Sequence, residues 1–176
     1  GVRENGGQYT HAALWVVRAM AELGRNDRVA ALLDLLSPIR HAGSPERVDV
    51  YQVEPYVVAA DVYGASPHTG RGGWTWYTGS AGWMYRLIAE SLLGLRLEVD
   101  RLHIKPCLPA HWDALKIHYR YRETVYHIAV SQTRAGEEAK SSVVSVTVDG
   151  VECHDKAIPL VDDDWKHRVE VCLTTM

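Results

Sequence analysis

The stretch RGGWTWYTGSAGWMY, residues 71–85, decides how the rest of the chain is read. Glycines, tryptophans and tyrosines crowd around a Thr-Gly-Ser corner, and an apolar run that reads as a helix follows. Gly72 and Gly73 free the backbone for positive φ and for close approach. Thr78 or Ser80 is placed to cap a helix beginning near Ala81. The unpaired amides and positive dipole end of that helix would face out of the loop and attract an anion. Trp74, Trp76, Tyr77 and Trp83 offer flat apolar faces with polar tips, which suit the C–H faces of sugar rings. An aromatic floor beside an anion nest points to a sugar together with a phosphate. The alternative is a helix-packing core, the commoner use of aromatic side chains.

On the N-terminal side of this stretch the apolar period is helical. Residues 10–23 leave almost no polar face, which predicts a helix buried on most sides and ended by Gly24. Asn26 or Asp27 is placed to cap a second helix over residues 29–36, stopped by Ser37-Pro38. A polar loop, residues 41–49, leads to YQVEPYVVAADVYG, where Pro55 suits a first helical turn and residues 56–63 are nearly all apolar. The helix after the aromatic stretch runs to Gly94. Beyond about Asp100 the period becomes alternating: Leu115, Ile117, Tyr119 and Tyr121 share one face, Lys116, His118, Arg120 and Arg122 the other. Residues 125–130, 143–148 and 169–173 read as further strands, and Val148-Asp149-Gly150-Val151 as a tight hairpin. The chain is therefore expected to be α+β in two parts, helical over 1–99 and a small antiparallel β-sandwich over 100–176.

The 176 residues carry a net charge of −3, with no basic footprint for nucleic acid. The longest apolar run, residues 12–17, is far too short to span a membrane, so no membrane contact is expected of this segment. Cys107, Cys153 and Cys172 are widely spaced with no metal-type pair, which suits reduced thiols in a cytoplasmic setting. The opening GVRENGGQYTHAALW lacks an initiator Met and enters an apolar helix almost at once, which reads as a chain cut from something longer.

No Walker loop, dinucleotide fingerprint, HExxH helix or CxxC pair is present. His11 follows a Gly-Gly pair at a helix entrance, with Arg3 and Glu4 upstream; a capping or packing role is the alternative to a ligand role. Glu54 stands where the helix dipole alone favours a carboxylate. Asp61, inside an apolar run, must find a partner or be protonated, and pairing with an arginine is the expected account. Arg71 and His68 flank the glycine loop and either add charge to an anion site or are solvated. His118, His127, His154 and His167 fall at no ligand spacing, so no metal site is expected.

VRENGGQYTHAALW, YQVEPYVVAADVYG and PHTGRGGWTWYTGSAGWMYR resemble the C-terminal part of the glycoside hydrolase family 94 phosphorylases. KPCLPAHW and IHYRYRETVYHI bring the wording nearest to the C-terminal end of the cyclic β-1,2-glucan synthases, which resemble cellobiose phosphorylases and were formerly placed in glycosyltransferase family 36. The resemblance covers the chain to about Val130. It implies that residues 1–99 supply helices of an (α/α)6 barrel and that inorganic phosphate is the co-substrate, with no cofactor. It also implies an inverting attack of phosphate on a β-glucoside, with one aspartic acid protonating the leaving oxygen. That acid lies upstream of the matched segment, so no catalytic residue is assigned here and the isolated chain is expected to be inactive. His11, Thr78 and Gly79 are implied as phosphate-binding, Arg3 and Glu4 as contacts to the acceptor-side sugar. Trp76 and Tyr77 join that sugar site as aromatic faces. Arg3 stands where cellobiose phosphorylases usually have Lys, and Ala60 about where they place a sugar-binding Gln. Both departures point away from cellobiose itself.

The expected partners are therefore a β-linked gluco-oligosaccharide and phosphate, with a second copy or the upstream part of the parent covering apolar surface. The leading reading is the chain-length-controlling phosphorylase region of a cyclic β-1,2-glucan synthase, cytoplasmic and with its parent anchored in the inner membrane by upstream segments. A stand-alone phosphorylase and a non-catalytic carbohydrate-binding module are the alternatives.

Overall fold

The computed structural model describes residues 2–76, 78–134 and 141–175. A short helix α1 (Val2–Gly6) and strand β1 (Gly7–Tyr9) lead into α2 (Thr10–Glu22). Then come α3 (Asn26–Leu36), α4 (Pro38–His41), α5 (Pro45–Tyr51), β2 (Asp61–Tyr63) and α6 (Thr78–Arg86), which runs on as a π-helical turn over Leu87–Leu92. β3 (Leu95–Glu98), β4 (Arg101–Ile104), β5 (Ala114–Tyr121), β6 (Thr124–Arg134) and β7 (Ser141–Val148) follow. β8 (Val151–Glu152), β9 (Ala157–Pro159) and β10 (Lys166–Thr175) complete the β part.

α2 packs on α3 because Leu14 and Val17 recur on one face and meet Val29, with Leu87 of the α6 extension closing the cluster. Burying such side chains contributes roughly 1.5–3 kcal/mol each. The helix stops where Gly24 takes φ 70°, and the Arg25 amide donates to Met20 O while the Gly24 amide donates to Ala21 O. That double bond satisfies carbonyls the helix end would orphan. The expectation of burial on most sides fails: Trp15 and Val16 are exposed. α2 is buried along the face that carries Leu14 and Val17 and open to solvent along much of the rest.

Three further expectations are corrected. Residues 56–63 form no helix: the chain turns after α5 and ends this run in β2, which pairs antiparallel with β1. The β-branched Val57, Val58 and Val62 suit an extended, half-buried surface as well as any helix, and pairing decides. The polar loop over residues 41–49 contains the start of α5, whose Ser44 cap accepts from the Arg47 amide ahead of Pro45. That Ser-Pro-Glu start signal was readable from sequence. Nor do Asn26 and Asp27 cap α3. The cap residue is Arg25, without a side-chain bond, and both side chains turn to the β part instead.

In the β part, β5-β6-β10-β7-β8 form one sheet and β3-β4-β9 another. Leu102 and Ile158 of the smaller sheet share a core with Tyr126, Ile128, Val169 and Val171 of the larger. The two-faced pattern of β5 holds, with Leu115, Ile117, Tyr119 and Tyr121 against the core and Lys116, His118 and Arg120 exposed. Asp149 and Gly150 both take positive φ, 50° and 83°, as a primed hairpin turn between β7 and β8 requires. The sheet is not wholly antiparallel, however: β10 pairs parallel with β6 and antiparallel with β7. After β8 the chain crosses to the other sheet through β9 and returns into the slot between β6 and β7. Alternation reports which face a residue occupies and says nothing of strand direction.

The two parts meet along a polar seam. Asn26 donates to Ser141 Oγ at 2.8 Å and accepts from the Cys107 thiol at 2.8 Å, while Asp27 accepts from the Ala110 amide at 2.9 Å. Gly94, at φ 71°, lets the helical part turn into β3; a Cβ there would lie 2.1 Å from the Lys105 carbonyl carbon.

Candidate active site

β2 is the strand on which the candidate site is laid. On one side β1 pairs with it, Gly7 opposite Tyr63 and Tyr9 opposite Asp61. On the other side the glycine loop runs alongside: Gly73 N donates to Asp61 O at 2.7 Å and Ala60 N to Trp74 O at 2.7 Å. The α2 entrance closes onto the same strand, Thr10 N donating to Ala60 O at 2.9 Å. Three sequence segments far apart in the chain are thereby fixed against one another.

Around Asp61 the first cluster forms. Its carboxylate is wholly buried and accepts from Arg3 Nε at 3.1 Å, and the Arg3 guanidinium lies 4.2 Å from the centroid of the Trp74 ring. Tyr9 supplies a second aromatic face at 5.4 Å. The pairing of Asp61 with an arginine is thus found, and that arginine is one of the expected sugar contacts. Glu4 is exposed on the same short helix.

His11, Trp15 and Trp83 make the second cluster, with His11 and Trp83 ring centroids 5.7 Å apart and Trp15 and Trp83 5.4 Å apart. Trp15 Nε1 donates to His11 Nε2 at 2.9 Å. An indole N–H only donates, so His11 Nε2 is the unprotonated nitrogen and the ring proton of the neutral form sits on Nδ1. Packing of α6 on α2 brings Trp83 to this cluster, and Thr78 and Gly79 open α6. The helix begins at Thr78 and not near Ala81, so Thr78 is its first residue and Ser80 lies buried in the first turn; neither is an outside cap. The amides of this first turn have no partner within the helix. Thr78 and Gly79 are exposed, and a Cβ at Gly79 would meet nothing within 4 Å.

The third cluster holds Trp76, whose Nε1 donates to Glu54 Oε1 at 3.0 Å, with Tyr56 edge-on at 6.4 Å. Trp76 is 68% exposed and takes φ 62°, a conformation side chains rarely adopt. Bonding to its own backbone amide, followed by the Trp76 indole, holds the Glu54 carboxyl below its ordinary range. A carboxylate so stabilised is an acceptor and is poorly suited to give up a proton. Tyr77 lies outside the described residues. Sequence reading missed the assembly of Arg3, Asp61 and Trp74; the signal available was an acidic residue in an apolar run, matched by a glycine pair later in the chain. Among the described residues no group of three or more His, Cys, Asp or Glu is placed to hold a metal ion, and no helix is long and apolar enough to cross a membrane.

Comparison with known proteins bears on what these clusters serve. Residues 95–156 match the C-terminal domain of glycosyl hydrolase family 65. A cyclic beta-(1,2)-glucan synthase of Rhizobium meliloti is 50% identical over 148 residues, 84% of this chain and 5% of that protein. The N,N'-diacetylchitobiose phosphorylase of Vibrio furnissii is 32% identical over 145 residues, 82% of this chain and 18% of that protein. A 1,2-beta-oligoglucan phosphorylase of Listeria innocua is 30% identical over 131 residues, 66% of this chain and 12% of that protein. The chain therefore spans less than a fifth of the length of these curated relatives. Residues 1–94, which carry all three clusters, match the catalytic domain of the glycosyl hydrolase 94 superfamily, and the chain belongs to that family.

Proposed function

We propose that this chain is the C-terminal part of a carbohydrate-active enzyme of the inverting β-glucoside phosphorylase type, the region that limits chain length in a cyclic β-1,2-glucan synthase. The observation that carries the reading is the cluster at β2, where a guanidinium lies on an indole face beside a helix entrance bearing His11. Such a surface offers a sugar ring apolar contact and directed hydrogen bonds together. The 50% identity to a cyclic glucan synthase supports the parent, and the similarity to phosphorylases supports the reaction. The helices would supply part of an (α/α)6 barrel, with the β part trailing it.

In this reading His11 Nδ1–H, the Thr78 hydroxyl and the Gly79 amide bind phosphate. Its negative charge is favoured by the N-terminal end of α6. Arg3, Glu4, Trp76 and Tyr77 hold the acceptor-side sugar. Phosphate oxygen attacks the anomeric carbon, the glycosidic C–O bond breaks, and a carboxylic acid from residues outside this chain protonates the leaving oxygen. Glu54 does not replace it, being held as the anion. Because phosphate is itself the nucleophile, one protein carboxyl suffices, unlike the pair a hydrolase uses. This chain alone is accordingly inactive. A stand-alone phosphorylase is the second reading, favoured by the similarity to the chitobiose enzyme.

The test is release of glucose 1-phosphate from linear β-1,2-glucan plus phosphate by the full-length enzyme. Release is expected, falling by about 100-fold or more in kcat/KM for His11→Ala, the scale set by removing one preorganised donor. No release from any β-glucoside overturns the reading and leaves a sugar-binding role.

A further inference from the structure

We infer that Asp61 is a positioning residue that sets acceptor preference: by holding Arg3 on the indole of Trp74 and cancelling its charge, it tunes the acceptor site for a neutral sugar over an acidic one. This rests on the phosphorylase reading of the same site.

The seat of Asp61 is built for a carboxylate. The residue is 0% exposed, and its Oδ1 has no hydrogen-bond partner among the described residues. Glycines wall it on both sides: a Cβ at Gly73 would lie 2.0 Å from Oδ1, and one at Gly7 would lie 3.1 Å from Oδ2. A buried acceptor left half unpaired is destabilising in itself, so a merely structural role would be better served by an uncharged group. Among the described residues, the benefit of a full negative charge here falls on the cation bonded to it, Arg3 at 3.1 Å. An arginine without such a partner is a binder of carboxylate and phosphate. Paired with a buried anion and stacked at 4.2 Å on Trp74, it becomes a fixed, planar hydrogen-bond donor with its charge matched. Such a donor suits sugar hydroxyls and gives an acidic sugar no net attraction.

The test runs the full-length enzyme in the synthetic direction, glucose 1-phosphate with D-glucose or D-glucuronate as acceptor. The acceptor hydroxyl oxygen bonds to C1 and phosphate leaves with the C1–O bond electrons. The quantity read is the ratio of kcat/KM for the two acceptors in one preparation, which does not depend on the folded fraction. Wild type is expected to favour glucose. Asp61→Asn frees the Arg3 charge and is expected to move the ratio towards glucuronate by about tenfold, chiefly through KM, as one uncancelled nearby charge allows. Arg3→Met leaves the Asp61 charge and is expected to move the ratio the other way. If Asp61→Asn does not fold, the direction of the Arg3→Met shift decides. A ratio unchanged in the variants, or moved the same way by both, overturns the role of Asp61 while leaving phosphorolysis intact. A wild type inactive on both acceptors and on linear glucan overturns this inference and the phosphorylase reading together.

Discussion

At the scale of single residues, the site depends on absent atoms as much as on present ones. Gly73 approaches Asp61 so closely that a methyl group would strike the carboxylate rather than a yielding side-chain end. Gly73→Ala is expected to destabilise the fold by more than about 2 kcal/mol, seen as a lower midpoint in chemical denaturation. A wild-type midpoint would show that the glycine loop gives way freely. The residue chemistry of this region was legible in the sequence: the glycines, the tryptophans, and a carboxylate in an apolar run that needed an arginine. Which arginine was not legible. Arg3 and Asp61 meet only because β1 pairs with β2, a register fixed by backbone bonds that no local spacing announces.

At the scale of elements, the long helices and the four longest strands were readable because each carries a sustained period: Leu14 and Val17 against α3, the alternation of β5 against the core. β1 and β2 were not, being strands of three residues whose pairing partners lie far along the chain. The place of β10 was hidden for a related reason, since its apolar pattern fits any central slot. That strand carries a titratable clamp. His167 lies 2.6 Å from Asp149 and 3.2 Å from Asp163, with its ring stacked at 4.9 Å on Tyr126. The bond to Asp149 raises the His167 pKa against the opposing effect of burial, with Asp163 adding to the rise. The bond from His167 in turn lowers that of Asp149. The stability from a raised histidine is present in full below its unfolded value of about 6.5 and is lost as pH climbs through the higher folded value. The stability from the lowered aspartate is lost as pH falls through its folded value. The clamp is therefore strongest between about pH 4 and pH 6.5. Denaturation midpoints are expected to fall as pH rises above about 6.5, where the unfolded histidine has lost its proton and the folded one still holds it, and His167→Gln is expected to remove that slope. An unchanged slope in the variant would assign it to other groups.

For the molecule as a whole, the two parts differ in how far they are covered. The β part encloses a core of its own and leaves Val99, Val151 and Trp165 in solvent, while the helical part presents the longer series Trp15, Leu35, Ile39, Tyr56, Trp76 and Tyr85, each more than half exposed. Large apolar surface of this kind marks a contact with something else. The chain on its own is expected to bind a hydrophobic dye and to associate in light scattering; a monodisperse monomer that leaves the dye dark would refute this. The insertion of β10 between β6 and β7 has its own outcome for the order of events during synthesis. β6 and β7 leave the ribosome with no strand between them, and the slot stays open until residues 166–175 follow. At roughly 5–20 residues per second, the delay from the end of β7 is a matter of seconds, during which two bare strand edges face each other. The helices can pair as they emerge, but the β part becomes a folded unit only when β10, made after both of its neighbours, reaches the slot between them.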